Sequence, residues 1–92
     1  MIDRETVISS VQELPSETKV KAWVFEIDKK FYHIARYTRF RMPEACSVWE
    51  STKKGKRNGE NPIFTLNGSD HIKCINEFMD KIDLENIDKG VE

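Results

Sequence analysis

Glu77, Asp80 and Asp83 recur at every third position of an amphipathic stretch, so on a helix rising about 1.5 Å per residue they follow one another roughly every 4.5 Å. That repeat is close to the ~3.4 Å between charges along one DNA strand. Glu85 and Asp88 continue the row, and Asp3, Glu5, Glu13 and Glu17 lengthen it if an N-terminal helix lies alongside. A carboxylate strip of this kind can occupy a DNA-binding cleft. The plainer alternative is the solvated face of an ordinary amphipathic helix.

Lys53, Lys54, Lys56 and Arg57 form the opposite pattern, in a polar, glycine-punctuated run from Lys53 to Glu60. Four cations at a hairpin tip can follow a phosphate backbone, and Arg36, Arg39, Arg41, Tyr37 and Trp49 could extend the patch with stacking surfaces. The plainer alternative is a solvated loop that keeps a strand edge from aggregating. A formal net charge of -1 counts against a nucleic-acid binder, which usually carries a clear positive excess. The charge is unevenly spread, however. Residues 1–28 hold three cations against six acids, residues 29–57 nine against two, and residues 58–92 three against eight. A basic middle between acidic ends predicts two electrostatically different surfaces.

Enzyme chemistry finds little support. The chain has no glycine-rich phosphate loop, no nucleophile elbow and no paired cysteine or histidine clusters of zinc-binding spacing. His71 and Cys74 lie three apart on a predicted helix, but two ligands do not close a metal site. No catalytic residue, metal or cofactor is therefore expected. Two cysteines, Cys46 and Cys74, are too few for a disulfide framework, and both are expected to be reduced, packed and dispensable for activity.

These groups need elements to hold them. Ninety-two residues predict one small domain, 1–92, with no apolar run approaching the ~20 residues of a membrane span and no leader-like N-terminus. Asp3 is placed to cap a first helix with Val7, Ile8, Val11 and Leu14 on one face, stopped by Pro15. Thr18 to Ile27 alternates as a strand with two apolar faces, and Asp28-Lys29 turns it into a second strand from about Lys30 to Phe40. A two-residue loop there pairs Phe25 with Tyr32, Trp23 with Ile34, Val24 with His33 and Ala22 with Ala35. Met42-Pro43-Glu44 predicts a break, Cys46 to Thr52 a third strand and Pro62 to Leu66 a fourth.

Ser69 is the expected cap of a second helix with Ile72, Ile75, Met79 and Ile82 buried and Phe78 beside them, fraying over 85–92. The expected fold is α+β: a four-stranded antiparallel sheet with two helices packed on one face, in the order α-β-β-β-β-α. The similar α-β-β-β-α order belongs to double-stranded RNA-binding domains, but their lysine cluster at the last helix is missing from Gly68-Ser69-Asp70-His71-Ile72-Lys73. Val20, Ala22, Val24, Ala35 and Tyr37 leave a second apolar face, which predicts a homodimer.

Ile, Lys and Asn outnumber Ala, Gly, Arg and Pro, as in AT-rich genomes such as those of many bacteriophages. With this usage, the acidic flanks and the segments Lys21-Ala22-Trp23-Val24-Phe25-Glu26-Ile27-Asp28 and Arg41-Met42-Pro43-Glu44-Ala45-Cys46, the whole chain resembles the Arn family of anti-restriction DNA-mimic proteins of T-even bacteriophages. The resemblance implies a non-enzymatic inhibitor, active as a dimer in the host cytoplasm. Such an inhibitor occupies the DNA-binding site of a host modified-cytosine restriction endonuclease and can engage a histone-like nucleoid protein, without binding nucleic acid itself. On this reading Glu77, Asp80, Asp83, Glu85 and Asp88 are the main partner contacts, supported by Asp3, Glu5, Glu13 and Glu17. The alternative is a small nucleic-acid-binding module using Lys53, Lys54, Lys56 and Arg57. The basic 53–57 segment is unlike a strongly acidic mimic, so mimicry here requires a segregated acidic face.

Overall fold

The computed structural model describes residues 2–15 and 20–90, the side chains of 86–90 excepted. Its elements run α1 (Arg4–Ser10), β1 (Gln12–Glu13), β2 (Lys21–Ile27), β3 (Lys30–Arg39), β4 (Met42–Ser51), β5 (Phe64–Asn67) and α2 (His71–Gly90). The architecture is α+β with an antiparallel sheet and two helices, but the sheet has five strands rather than four, in the order β1-β2-β3-β4-β5.

The fifth strand comes from the end of the expected first helix. Asp3 caps α1 as anticipated, its carboxylate accepting from the Thr6 amide at 3.3 Å. Helix α1 nevertheless stops at Ser10, and Val11 turns to extended backbone. Gln12 and Glu13 then pair with Val24 and Trp23, giving the outer edge of β2 a partner for its backbone groups. Leu14 therefore lies past the strand rather than on the helix, its amide donating to the Ala22 carbonyl at 2.8 Å.

The β2–β3 register is the expected one, with Phe25 opposite Tyr32, Trp23 opposite Ile34, Val24 opposite His33 and Ala22 opposite Ala35. Both turn residues take positive φ, +48° at Asp28 and +69° at Lys29, as a tight two-residue hairpin loop requires. Pro43 does not break the chain. Strand β4 begins at Met42, and Pro43, which has no N–H, falls where the β3–β4 ladder shifts register between Tyr37 and Arg39 and no residue of β3 is paired with it. Strand β5 is displaced from the expected Pro62–Leu66 to Phe64–Asn67. Asp70, not Ser69, caps α2: its carboxylate accepts from the amides of Ile72 at 3.0 Å and Lys73 at 3.2 Å. The helical backbone continues to Gly90, through most of the polar 85–92 stretch.

The core lies between one sheet face and the helices. Trp23, Phe25, Ile27, Tyr32, Ile34, Cys46 and Val48 meet Val7 of α1 and Cys74, Ile75, Phe78 and Met79 of α2, with Ile72 and Ile82 packed at the margin. Phe78 makes edge contacts with Tyr32 at 5.1 Å and Phe25 at 6.2 Å between ring centroids. Truncating a ring in such a cluster costs about 3–5 kcal/mol.

The second sheet face is buried only in part within one chain: Ala22 and Tyr37 are half-buried and Val20 is 39% exposed. Val24 and Ala35, expected to await a partner subunit, are buried, as are Ala45, Ser47 and Trp49. Ser47 is satisfied by the hydroxyls of Tyr37 at 2.9 Å and Thr65 at 2.8 Å. What lies across this face is the basic segment.

Candidate functional site

Residues 50–58 are a small hairpin that extends β4 rather than an open loop. The Asn58 amide donates to the Glu50 carbonyl at 2.8 Å, Ser51 bridges Arg57, and the Thr52 amide donates to the Lys56 carbonyl at 2.9 Å. A turn over Lys53 and Lys54 closes with the Gly55 amide on the Thr52 carbonyl at 2.9 Å. Gly55 carries φ +90°, the left-handed residue that a three-residue hairpin loop places after its turn.

Three contacts fold this hairpin over the sheet. The Gly55 carbonyl lies 2.8 Å from His33 Nδ1, and since a carbonyl only accepts, that nitrogen carries the proton. The Arg57 guanidinium stacks 4.8 Å from the centre of Trp49, whose Nε1 donates to the Glu60 carbonyl at 3.3 Å. Gly55 itself is buried, and a Cβ at this position would stand 2.7 and 2.9 Å from the two methyl groups of Leu14. Burial lowers the His33 pKa, and Arg57 lowers it further against the opposing pull of the Gly55 carbonyl. The imidazole clamps the hairpin through this one hydrogen bond.

The clamp leaves Lys53, Lys54, Lys56 and Arg57 exposed, and among the described residues none of them forms an ion pair. Phe31 lines both the groove that Lys53 borders and a second one, of about 300 Å³, bordered by Lys29, Lys30 and Asn58. The β2–β3 turn thus adds two exposed lysines to the same end of the sheet. Sequence reasoning missed them as site residues, although the pairing that put Lys29 in the turn already implied their position. Arg36 and Arg39 lie elsewhere. Arg36 sits 5.9 Å over Trp23 and donates to the Ser69 carbonyl at 3.3 Å, and Arg39 reaches Pro43 and Asn67 near the β3–β4 turn.

The acids are arranged differently from the expected row. Helices α1 and α2 do lie side by side, but Arg4 joins them: its guanidinium pairs with Asp80 and, at 3.3 Å, with Asp83, and donates to the Asn76 carbonyl at 3.4 Å. Lys81 stands 3.9 Å from Glu85, and Glu77 is half-buried. Asp3 is engaged as a cap, with Thr6 Oγ1 at 2.8 Å, and Glu5 is exposed on α1. Glu13 belongs to β1 rather than to a helix. Glu17 and the side chain of Asp88 lie outside the described residues.

The candidate metal pair is taken up by packing. His71 stacks flat on Trp23, 3.8 Å between centroids at 4°, and the Cys74 thiol donates to the Cys46 carbonyl at 3.7 Å. Burial is the main cause that pushes the Cys74 thiol up to about 12, with Cys46 and Glu77 adding to it. Burial likewise raises Cys46. Among the described residues no three His, Cys, Asp or Glu side chains converge as a metal site, and no helix is long and apolar enough to cross a membrane.

No protein-family model, curated protein or solved structure matches the chain.

Proposed function

We propose that the protein is a non-enzymatic binding module that holds a nucleic-acid phosphate backbone on the clamped hairpin, through Lys53, Lys54, Lys56 and Arg57 with Lys29 and Lys30. The observation that carries this reading is the contrast in charge state between the two layers. Asp80, Asp83 and Glu85 of α2 are engaged by Arg4 and Lys81, whereas the hairpin cations are exposed, free of ion pairs and clamped to the sheet. Phosphate contacts need cations that are not already neutralised, and a pre-ordered loop loses little conformational freedom on binding. The acids of the C-terminal end sit mainly on α2, whereas Glu13, Glu26 and Asp28 lie on the sheet and its β2–β3 turn.

The DNA-mimic inhibitor of a host DNA-binding protein is the second reading, and one observation favours it. Arg4 draws Asp80 and Asp83 together, so one guanidinium stands between two carboxylates of α2 and an acidic excess remains there. This reading includes the endonuclease and nucleoid-protein targets, the cytoplasmic setting and a homodimer that would double the acidic strip.

Fluorescence anisotropy on labelled oligonucleotides at 50 and 200 mM salt separates the two readings. Phosphate binding requires direct, salt-sensitive association that is lost when Lys53, Lys54 and Lys56 become Gln, with Arg57 kept for its stack on Trp49. Each lost contact should lower the slope of log affinity against log salt by about 0.7–0.9. Absence of direct binding, together with competition against a DNA-binding protein that disappears in Glu77→Gln, Asp80→Asn, Asp83→Asn, would replace the first reading by the second.

A further inference from the structure

The β3–β4 turn exposes the most accessible large apolar side chain among the described residues. Phe40 is 87% exposed and Met42 55% exposed, on a turn where Arg39 pairs with Met42. Arg41 takes φ +56° and holds its guanidinium 5.1 Å from the centre of the Phe40 ring. The turn is braced from below: the Arg39 guanidinium donates to the Pro43 carbonyl at 3.1 and 3.2 Å and to Asn67 Oδ1 at 2.8 Å. A braced hairpin thus presents one exposed aromatic ring with Arg41 over it.

We infer that this turn is a stacking finger for an unpaired base of single-stranded nucleic acid, with Arg41 placed against the adjoining phosphate. The inference rests on the phosphate-binding reading of the hairpin and names its ligand. Two apolar side chains ringed by cations are too small a surface for a protein groove or a lipid bilayer, but a single ring is all that a base requires. The base must be free of a duplex, because the ring stands at the end of a narrow turn and meets only what is already unstacked. The finger and the lysine hairpin lie toward opposite ends of β3. From His33, which clamps the hairpin, to Phe40 is seven residues, roughly 23 Å of strand. A 12-nucleotide strand covers that span even at the stacked rise of about 3.4 Å per nucleotide, and more easily when unstacked.

Binding of the full chain to labelled dT12 and to a 12-base-pair duplex, followed by anisotropy, tests this. The expected result is a preference for dT12. Phe40→Ala should weaken dT12 binding by about 5- to 150-fold with an unchanged salt slope, since it removes stacking and no charge. Phe40→Trp should retain affinity, with indole fluorescence quenched on binding. Circular dichroism checks the fold, which an 87% exposed ring does not support. If Phe40→Ala binds like the wild type while Lys53→Gln, Lys54→Gln, Lys56→Gln does not, the finger is wrong and the phosphate hairpin stands. Equal binding of duplex and single strand also overturns the finger. If the wild type binds neither oligonucleotide, both fall together.

Discussion

Gly55→Ala tests whether the basic hairpin is held on the sheet by the contacts described. At φ +90° a residue with a Cβ is strained by about 1–2 kcal/mol. The added methyl would also stand 2.7 and 2.9 Å from the Leu14 methyl groups, so Leu14 must swing aside. Leu14 is a half-buried side chain rather than backbone, which puts this displacement near the lower end of the usual overpacking cost, about 1 kcal/mol. The sum is about 2–3 kcal/mol, or roughly 8–24 °C in Tm for a domain of this size.

Gly59→Ala is the internal control. It sits at φ +85° with nothing within 4 Å of its Cβ, so it should lose only the backbone part. Urea titrations read by tryptophan fluorescence suit the comparison, because Trp49 lies under the hairpin and Trp23 under α2. Adding Leu14→Ala to Gly55→Ala should recover about 1 kcal/mol relative to the sum of the single losses. Equal stability of the two glycine variants within ~0.5 kcal/mol, or strict additivity with Leu14→Ala, would refute the packing of Leu14 on the hairpin.

Lys29→Gly should stabilise the fold by about 0.5–1 kcal/mol, since Asp-Gly suits a loop with two positive φ angles; thermal unfolding checks this. His33 and His71 both have lowered pKa values, chiefly from burial, so the unfolded chain binds more protons as pH falls below about 6.5. Stability is then complete above that pH and declines on acidification toward the folded-state pKa values. Tm measured from pH 7.5 to 5.5 should show this decline, and His33→Gln should reduce its slope. The buried thiols should resist iodoacetamide at pH 8 in the native protein and react twice per chain in urea, read by mass spectrometry. Arg4→Gln should leave the urea midpoint nearly unchanged, because its ion pairs are exposed to solvent screening.

The central hairpin was legible because alternation marked both faces of β2 and β3 and two residues separated them, leaving one register for Trp23, Phe25, Ile34 and Tyr32. The α2 stripe was legible for the same kind of reason, a helical period at Ile72, Ile75, Met79 and Ile82. Gln12 and Glu13 were not, since two polar residues carry no strand period and are recruited by the open edge of β2. Pro43 misled because its effect depends on a bulge that only the β3–β4 pairing creates. The folded-back position of Lys53–Arg57 depends on His33, Trp49 and Leu14, which are remote in the chain. Its local turn, by contrast, was signalled by Thr52 followed three residues later by Gly55. The capture of Asp80 and Asp83 by Arg4 was likewise invisible to spacing along α2 alone.

The meander order of the sheet has a consequence for how the molecule assembles. Every ladder joins strands that are consecutive in the chain, and three of the four strand pairs close over short connections, so little loop entropy opposes their formation. Such topologies allow hairpins to form early. The clamp between Arg4 and Asp80 instead joins positions 76 apart in sequence and waits for both helices to reach the finished sheet. The two ends of the chain are thereby tied through a contact that the meander by itself does not supply.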